Sequence, residues 1–441
     1  MFSALRDRFC LMGLVSWFMS TKDLIHDLPI SEIISKYIHL TYRGSNFEGI
    51  CPFHDDTKPS LKVTDTKGIY KCFACGAGGD GINFVMDFKK INFLEAVQEI
   101  TKDHNLSNDF VPDPNYLRIN KAYQLLKDVK YLYEDSALTS QHLEIFLKGR
   151  QISIETARDF EIGYAPQNNI VVDTYKNTEY FDLAVELGLI RKTSYGHEDS
   201  FKGRIMFPIS DEGGNCVGFC GRSLSEDLTP KYLNSKESFI FKKGEVLYGL
   251  NFSENSIIKE SSVLVVEGFM DVVALYEHGI TNVVGCMGIA LSETCISRLN
   301  ELSSEIVLGL DSDDAGIKAS QRIGSNMLSL GIVPYTLSYL PYKDADDFLK
   351  NEPQGSMKLK KLINSSKTLL DIELEKLVEL NKEKSIEQKS RCLKQIYLIL
   401  SPLRMSISAT ERIILYSELL GLKTDPKFIL ENYQKGLSQV A

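Results

Sequence analysis

Short apolar segments that end in carboxylates are the clearest pattern along the chain. Residues 263–266 lead into Glu267, and residues 306–310 lead into Asp311 and Asp313. Runs of β-branched and aliphatic residues of this length are typical of strands buried on both faces of a parallel sheet. Further apolar segments of the same kind lie at 281–286 and 333–340.

The residues between these predicted strands have helical spacing. Apolar residues recur at helical intervals over 270–276, and Gly279 is suited to end that helix. A second helix is predicted to begin at Ala315. Alternating strands and helices favour a parallel sheet, and the carboxyl ends of its strands lie at one edge, where ligands bind. The carboxylates that follow the strands are therefore expected to converge.

Carboxylates gathered at one edge would repel each other unless a cation lay between them. Mg²⁺, held by a few carboxylates, water and substrate phosphates, relieves such repulsion. The pattern predicts one or more Mg²⁺ ions, with Mn²⁺ as an alternative, for phosphoryl or nucleotidyl chemistry. A solvated loop or a helix cap is the alternative for any single Asp-x-Asp. The predicted metal ligands are Glu267, Asp311, Asp313, Asp344 and Asp346.

Three cysteines and one histidine have the spacing of a zinc site. Cys51 and His54 are separated by two residues, as are Cys72 and Cys75, and seventeen residues lie between the two pairs. Two-residue spacers let both ligands of a pair reach one tetrahedral Zn²⁺, and Cys₃His is a closed structural set. A redox pair beside an unrelated histidine is the alternative. The other six cysteines lack paired spacing, which is typical of buried thiols in a reduced, cytoplasmic protein.

Composition and charge limit the classes of function. The chain has 441 residues, 43% of them hydrophobic and 25% charged, so several domains are expected. No run of eighteen apolar residues predicts a membrane-spanning helix. The net charge of −9 argues against a broad surface that binds DNA nonspecifically, but it permits local contacts with single-stranded DNA. Residues 9–19 resemble a secretion signal. The better interpretation is that translation of the native protein starts at Met19, or that these residues form a short extra helix.

Two motifs together resemble a known family. Glu267-Gly268 after a strand, followed about forty residues later by Asp-Ser-Asp-Asp-Ala-Gly at 311–316, resembles a Toprim domain. A Cys-Pro-Phe-His zinc ribbon ahead of a Toprim domain resembles the bacterial-type DNA primases. The similarity covers roughly residues 22–350 and includes the intervening basic motifs at 202–209, 218–222, 230–235 and 241–249.

The resemblance implies a nucleotidyltransferase that synthesises short RNA primers on single-stranded DNA from ribonucleoside triphosphates. It implies catalytic roles for Glu267, Asp311 and Asp313 and template recognition by the zinc ribbon. A replicative helicase is implied as a partner less strongly, because only residues 349–441 follow the Toprim segment. A monomer is expected. The residues implied to bind template or nucleotide are Arg204, Arg222, Lys231, Asn234 and Lys243.

The expected fold class is α+β multidomain, with a zinc ribbon, a mixed α/β catalytic core containing a parallel Toprim sheet, and a C-terminal helical subdomain. A Toprim nuclease or topoisomerase-like enzyme and a noncatalytic zinc-ribbon DNA-binding protein remain alternatives. Ile289 and Ala345 stand where the family usually has Thr and Pro. The expected domains are an N-terminal extension (1–21), a zinc-ribbon template-binding domain (22–104), a linker (105–115), an N-terminal core subdomain (116–255), a Toprim domain (256–348) and a helical subdomain with a short or reduced helicase-binding region (349–441).

Overall fold

The computed structural model describes residues 28–91, 93–104, 114–225, 229–288 and 291–440. The chain divides into two compact units. The first contains the described residues up to Lys127 together with Gly213–Asn215, and the second contains Asp128–Glu212 and the described residues from Cys216 onward. The predicted N-terminal extension, most of the predicted linker and Ile289 lie outside the described residues.

The first unit is built on an antiparallel sheet with strand order β1-β2-β3-β4-β5. Alternate residues of β3 and β4 are buried, including Val63 and Tyr70, and Phe84 packs edge-to-face on Tyr70 with ring centroids 5.2 Å apart. Strands β3 and β4 form an antiparallel hairpin. The strands are Leu40–Arg43, Asn46–Gly49, Leu61–Thr64, Ile69–Cys72 and Gly78–Gly79; the helices are α1 (Ile30–Ser35), α2 (Gly81–Lys89), α3 (Phe93–Asp103) and α4 (Pro114–Leu138), which continues into the second unit.

The second unit begins with an antiparallel sheet of strand order β11-β10-β9-β6. Its central strands β9 and β10 are buried along almost their whole length, because helices cover the sheet. The elements are α5 (Gln141–Arg150), α6 (Ile154–Asp159), β6 (Gly163–Ala165), α7 (Ile170–Tyr175), α8 (Phe181–Glu186), the hairpin β7 (Ile190–Thr193) and β8 (Gly196–Asp199), β9 (Arg204–Ser210), β10 (Cys216–Ser223), β11 (Tyr232–Asn234) and α9 (Leu250–Glu260).

A second sheet of strand order β13-β12-β14-β15-β16 follows, and its first four strands are parallel, as predicted. The last predicted strand is shorter than 333–340: it begins after Pro334, which has no N–H to donate to a neighbouring strand, and it ends at Thr336. The elements are β12 (Ser262–Val266), α10 (Phe269–Glu277), β13 (Val283–Gly285), α11 (Glu293–Leu302), β14 (Glu305–Leu308), α12 (Asp314–Ser329), β15 (Tyr335–Thr336), α13 (Ala345–Asn351), α14 (Gly355–Asn364) and β16 (Lys367–Thr368).

A helical bundle completes the described chain, as predicted. Leu370, Leu374 and Ile396 are fully buried in it, and Arg412 makes a two-pronged contact with Asp371, at 2.8 and 2.9 Å. The expected α+β multidomain class is confirmed. Among the described residues, no helix combines the length and apolarity needed to cross a membrane. The helices are α15 (Leu369–Glu379), α16 (Ile386–Leu400), α17 (Ile407–Leu419) and α18 (Pro426–Val440).

Candidate active site and zinc centre

The four predicted zinc ligands lie together in the first unit. Their donor atoms are all within 4.8 Å of one another. The sulfurs of Cys51 and Cys75 are 3.7 Å apart, and the Cys72 sulfur is 4.0 Å from Nδ1 of His54. Tetrahedral bonds of about 2.3 Å from zinc to sulfur would place two sulfurs about 3.8 Å apart. The arrangement therefore fits one structural Zn²⁺.

Asp56 holds the first pair of ligands in place. It accepts a hydrogen bond from the backbone N–H of Cys51 at 3.1 Å, and it lies 3.7 Å from Nε2 of His54. A carboxylate on the outer nitrogen orients a ligating imidazole. Although burial opposes it, contacts with Ser60 and with backbone N–H groups lower the pKa of Cys72, whereas burial raises the pKa values of Cys51 and Cys75. Zinc binding would therefore displace protons from thiols of this set.

The aromatic residues of the ribbon divide into two groups. Phe53 packs against Tyr70 and Phe84, with centroids 5.9 and 5.4 Å apart, and so belongs to the core. Phe73, between the second pair of ligands, is 51% exposed. Only an exposed ring can stack on a base, so Phe73 is the better placed of the two for a contact with nucleic acid.

The predicted acidic residues of the second unit lie at the carboxyl ends of the parallel strands. Glu267 follows β12, and Asp311 follows β14. Asp313 caps α12, accepting hydrogen bonds from the N–H groups of Ala315 and Gly316 at 3.1 and 2.9 Å. A Cβ on Gly316 would come within 2.1 Å of the Asp311 carbonyl oxygen, so this tight turn requires glycine.

We call the predicted acidic residues of the second unit the acidic rim: Glu267, Asp311, Asp313, Asp344 and Asp346. Members of the rim influence each other's ionisation. Burial, and then the charges of Asp311 and Asp313, raise the pKa of Glu267. Burial also raises the pKa of Asp311, against the opposing effect of Lys343, whose Nζ lies 3.0 Å from Asp311 Oδ2. Like charges that cannot escape into water are the usual setting for a bound cation. The donor set is therefore the one that Mg²⁺ prefers.

Asp344 and Asp346 begin α13 but differ in their partners. Asp344 caps the helix by accepting a hydrogen bond from the Asp347 N–H at 2.8 Å. Asp346 is buried, and its Oδ2 forms ion pairs with Arg150 and Lys350. Its Oδ1 is buried without a hydrogen-bond partner among the described residues. An orphaned carboxylate oxygen of this kind is suited to a metal ion or its bound water.

The sequence analysis missed Asp271, which lies in the first turn of α10. It accepts hydrogen bonds from the N–H groups of Gly268 and Asp346, at 3.2 and 3.3 Å. Burial, and then the charges of Asp344 and Asp311, raise the pKa of Asp271 to about 8. One carboxylate inside an otherwise apolar helix was the signal available in the sequence.

Arg150 was also missed. It ends α5 and pairs with Asp346 across 196 positions of the chain. No local pattern in the sequence marks such a partner.

Tyr232 of β11 lies near enough for the charges of Arg150, Asp271 and Asp346 to affect its pKa, which burial chiefly raises. Tyr232 at the edge of the β9–β11 sheet therefore lies close to Asp271 and Asp346 within the second unit.

Arg222 and Tyr232 form the polar part of that sheet face. Nη1 of Arg222 donates to the Tyr232 hydroxyl at 2.8 Å, and the guanidinium lies 5.2 Å from the centroids of both Phe146 and Tyr232. The Phe269 ring, two residues after Glu267, lies 5.3 Å from that of Tyr232. Through Phe269, these contacts connect the β9–β11 sheet to the segment that carries Glu267.

The other predicted template contacts have different environments. Arg204 is only 2% exposed, and its Nη1 donates to the carbonyls of Gly221 and Pro230 at 3.2 and 2.8 Å, so it supports the backbone. Lys231 is exposed, with its Nζ 5.9 Å from the Tyr232 centroid. Oδ1 of Asn234 is buried without a partner in the described part of the chain. Lys243 is half-buried. Their binding roles stay predictions.

Together these features define a class of protein. The structure combines a zinc ribbon with an α/β domain whose strand ends carry carboxylates, and an antiparallel sheet that carries Arg222 and Tyr232. Carboxylates that can hold a divalent ion at the ends of parallel strands are typical of phosphoryl and nucleotidyl transfer sites. The class is a zinc-ribbon protein with a Toprim-type catalytic core.

Comparisons with known proteins agree with this class. Three family models match successive parts of the chain: CHC2 zinc finger at residues 19–113, DNA primase catalytic core, N-terminal domain at 132–254, and Toprim-like at 264–349. The DNA primase of Aquifex aeolicus is 36% identical over 371 residues, which are 84% of this chain and 72% of that protein. The DNA primase of Clostridium acetobutylicum is 33% identical, over 89% of this chain and 66% of that protein.

Solved structures give the same result. The zinc-binding and RNA polymerase domains of Aquifex aeolicus primase match with a TM-score of 0.67 and 31% identity, over 93% of this chain and 99% of that one. A DnaG primase catalytic domain bound to single-stranded DNA matches with a TM-score of 0.61 and 26% identity, over 70% of this chain and all of that one. The chain belongs to the bacterial-type DNA primase family, whose members are nucleotidyltransferases of the RNA polymerase type. It spans 72%, 66% and 53% of three relatives' lengths.

Proposed function

We propose that this protein synthesises short RNA primers on a single-stranded DNA template from ribonucleoside triphosphates. The observation that carries the proposal is the set of carboxylates at the ends of the parallel strands, with Tyr232 of the neighbouring sheet close to Asp271 and Asp346. The ring of Phe269, close to Glu267 in the chain, contacts Tyr232 and lies 5.6 Å from the ring of Phe207 on β9. A primer terminus and a nucleotide bound at these strand ends would lie next to the carboxylates.

The proposed reaction is attack by the 3′-hydroxyl of the primer on the α-phosphorus of a ribonucleoside triphosphate. A new P–O bond forms while the bond to the β-phosphate breaks, and pyrophosphate leaves with that electron pair. The hydroxyl proton passes to a base in the site. Glu267, whose pKa is raised by burial and by Asp311 and Asp313, is suited to receive it, or to serve as a metal ligand instead.

Oxygen donors from Glu267, Asp311, Asp313 and Asp344, with the orphaned oxygen of Asp346, would hold one or more Mg²⁺ ions, or Mn²⁺. A bound ion would neutralise charge that develops on the phosphate oxygens. The ion pairs of Asp346 with Arg150 and Lys350 fix the start of α13, and this orients the neighbouring Asp344. Asp271 fixes the same turn through its hydrogen bond from the Asp346 N–H.

The first unit is assigned to template recognition. Zn²⁺ on Cys51, His54, Cys72 and Cys75 would hold the ribbon's two ligand pairs together, with Phe73 exposed between the second pair. Arg204, Arg222, Lys231, Asn234 and Lys243 are retained as proposed contacts to template or nucleotide in the second unit. Arg204 would act indirectly, by holding the backbone carbonyls of Gly221 and Pro230.

We also propose where the enzyme is located, which protein it binds and that it is a monomer. A cytoplasmic location is supported by the described cysteines, which are all free thiols, as expected in a reducing compartment. A replicative helicase is proposed as a partner and the protein as a monomer. Exposed apolar side chains between α16 and α18, Ile386, Leu398 and Phe428, support a protein partner.

The test is incubation of the zinc-loaded protein with a single-stranded DNA template, Mg²⁺ and labelled ribonucleoside triphosphates. Short RNA made without an added primer is the expected product. Fragments of the template would indicate a Toprim nuclease or topoisomerase-like enzyme instead. Binding of the template without either product would indicate a noncatalytic zinc-ribbon protein. Either of these results would overturn the proposal.

A further inference from the structure

Lys343 lies between two carboxylates of the acidic rim. Its Nζ is 3.0 Å from Oδ2 of Asp311 and 3.8 Å from Oδ2 of Asp344. These two residues come from different strand ends, so Lys343 bridges the segments that the proposed metal ion would also bridge. The ammonium group is the cation that balances this pair in the described structure.

The backbone of Lys343 is fixed, whereas its side chain is not. Its carbonyl accepts a hydrogen bond from the Ser312 N–H at 2.7 Å, and its own N–H donates to Asp347 Oδ2 at 3.1 Å. The side chain is nevertheless 60% exposed. Exposed ion pairs are weak, so the ammonium group can leave the carboxylates at small cost while its backbone remains at the rim.

We propose that Lys343 is a tethered cation that competes with the divalent metal for Asp311 and Asp344, and that binds the phosphates of the nucleotide once the metal displaces it. The inference rests on the proposed function. Two cations cannot share the same carboxylate oxygens without repulsion, so metal binding must release the ammonium group. A flexible lysine is a point-charge donor to phosphate, and the displaced group stays within reach of the rim.

This arrangement links metal binding to nucleotide binding. Without nucleotide, the metal must displace Lys343 and leave it without an anionic partner. With nucleotide, the triphosphate offers the released ammonium group a new partner. By thermodynamic linkage, the nucleotide must then strengthen metal binding by the same factor as the metal strengthens nucleotide binding. Lys343 is accordingly a substrate-binding residue that favours joint loading of the metal and the nucleotide.

The first experiment measures Mn²⁺ binding in the absence of nucleotide, from the electron paramagnetic resonance signal of free Mn²⁺. The proteins are the zinc-loaded wild type, Lys343→Met, Lys343→Arg, and Lys361→Met as a control that removes one charge from an exposed position on α14. Lys343→Met should bind Mn²⁺ about two- to fivefold more tightly, since the competitor is gone. Lys343→Arg and Lys361→Met should both bind more weakly than Lys343→Met.

The second experiment measures primer extension at saturating Mg²⁺. Lys343→Met should raise the KM for ribonucleoside triphosphate about five- to tenfold with kcat changed less than about twofold, and Lys343→Arg should restore the KM. Unchanged Mn²⁺ affinity in Lys343→Met would overturn the inference. A separate result would overturn the proposed function itself: wild-type Mn²⁺ binding no stronger than that of Glu267→Gln, together with no RNA product.

Discussion

The zinc centre and the acidic rim are both predicted metal sites, yet the chain builds them in opposite ways. The outermost zinc ligands, Cys51 and Cys75, are only 24 positions apart, and the consecutive strands β2, β3 and β4 bring them together. The rim needs the ends of three parallel strands and the start of α13. Its support by Arg150 reaches across 196 positions. The zinc centre is thus a local structure, whereas the rim depends on the whole second unit.

The two sites also differ in how complete they are. The four zinc donors lie within 4.8 Å of one another, a closed set that leaves no position for substrate. Among the described residues, no three carboxylates meet that distance, and Lys343 balances two of them. An open site of this kind is completed by water and by substrate phosphates. The difference agrees with the proposed roles, in which the closed site supports folding and the open site supports chemistry.

The largest effect is expected from Cys72→Ser, which removes a ligand from the closed set. Structural zinc in small domains contributes on the order of 10 kcal/mol to folding, so the first unit should lose both its zinc and its fold. Zinc content by atomic absorption and the thermal unfolding profile measure this result. One zinc per chain in the purified variant would show that the ligand set is wrong.

Glu267→Gln tests the open site. Loss of one charged group at a reacting phosphate should lower the rate of primer synthesis about 100- to 1000-fold. Zinc content should stay at the wild-type value and the free energy of unfolding should not fall, because the substituted glutamine would carry no charge to be repelled by Asp311 and Asp313. Primer synthesis assays and urea unfolding measure the two quantities. Asp311→Asn should behave in the same way.

Arg150→Met should have a smaller effect, on stability. The substitution leaves the buried Asp346 with Lys350 as its remaining ion-pair partner among the described residues, at a cost of about 2 kcal/mol. Lys148→Met is the matched control on the same helix, because its pair with Glu144 is exposed. That control should change the free energy of unfolding by less than about 0.5 kcal/mol. Equal changes in the free energy of unfolding would mean that the ion pair between Arg150 and Asp346 does not stabilise the fold.

The last effect is a dependence of stability on pH. In metal-free buffer the folded protein holds a proton on Asp271 up to a pKa of about 8, whereas the unfolded chain releases it near the ordinary value of 3.8. Between these values the folded state binds more protons, so Asp271 lowers stability as pH rises, by at most about 1.4 kcal/mol per unit. Asp271→Asn should flatten the dependence of unfolding free energy on pH between 5 and 8. An unchanged slope would show that Asp271 is ionised in the fold.

The comparison also shows what a sequence can predict. Ligand spacing located the zinc centre, and apolar runs ending in carboxylates located the rim, because both signals are local. Arg150 and Asp271 were missed, since their significance comes from partners 196 and 75 positions away. Arg204 was expected to contact phosphate, but its burial against backbone carbonyls depends on how β9, β10 and the turn before β11 pack.

The most direct test compares primer synthesis begun without a primer and extension of a supplied dinucleotide, both on single-stranded template with Mg²⁺. The proteins are the wild type, Glu267→Gln and Cys72→Ser. Glu267→Gln should lose both activities, whereas Cys72→Ser should lose unprimed synthesis more than extension, because chemistry lies in the second unit and template recognition in the first. Normal RNA synthesis by Glu267→Gln would contradict the assignment of the rim as the catalytic centre.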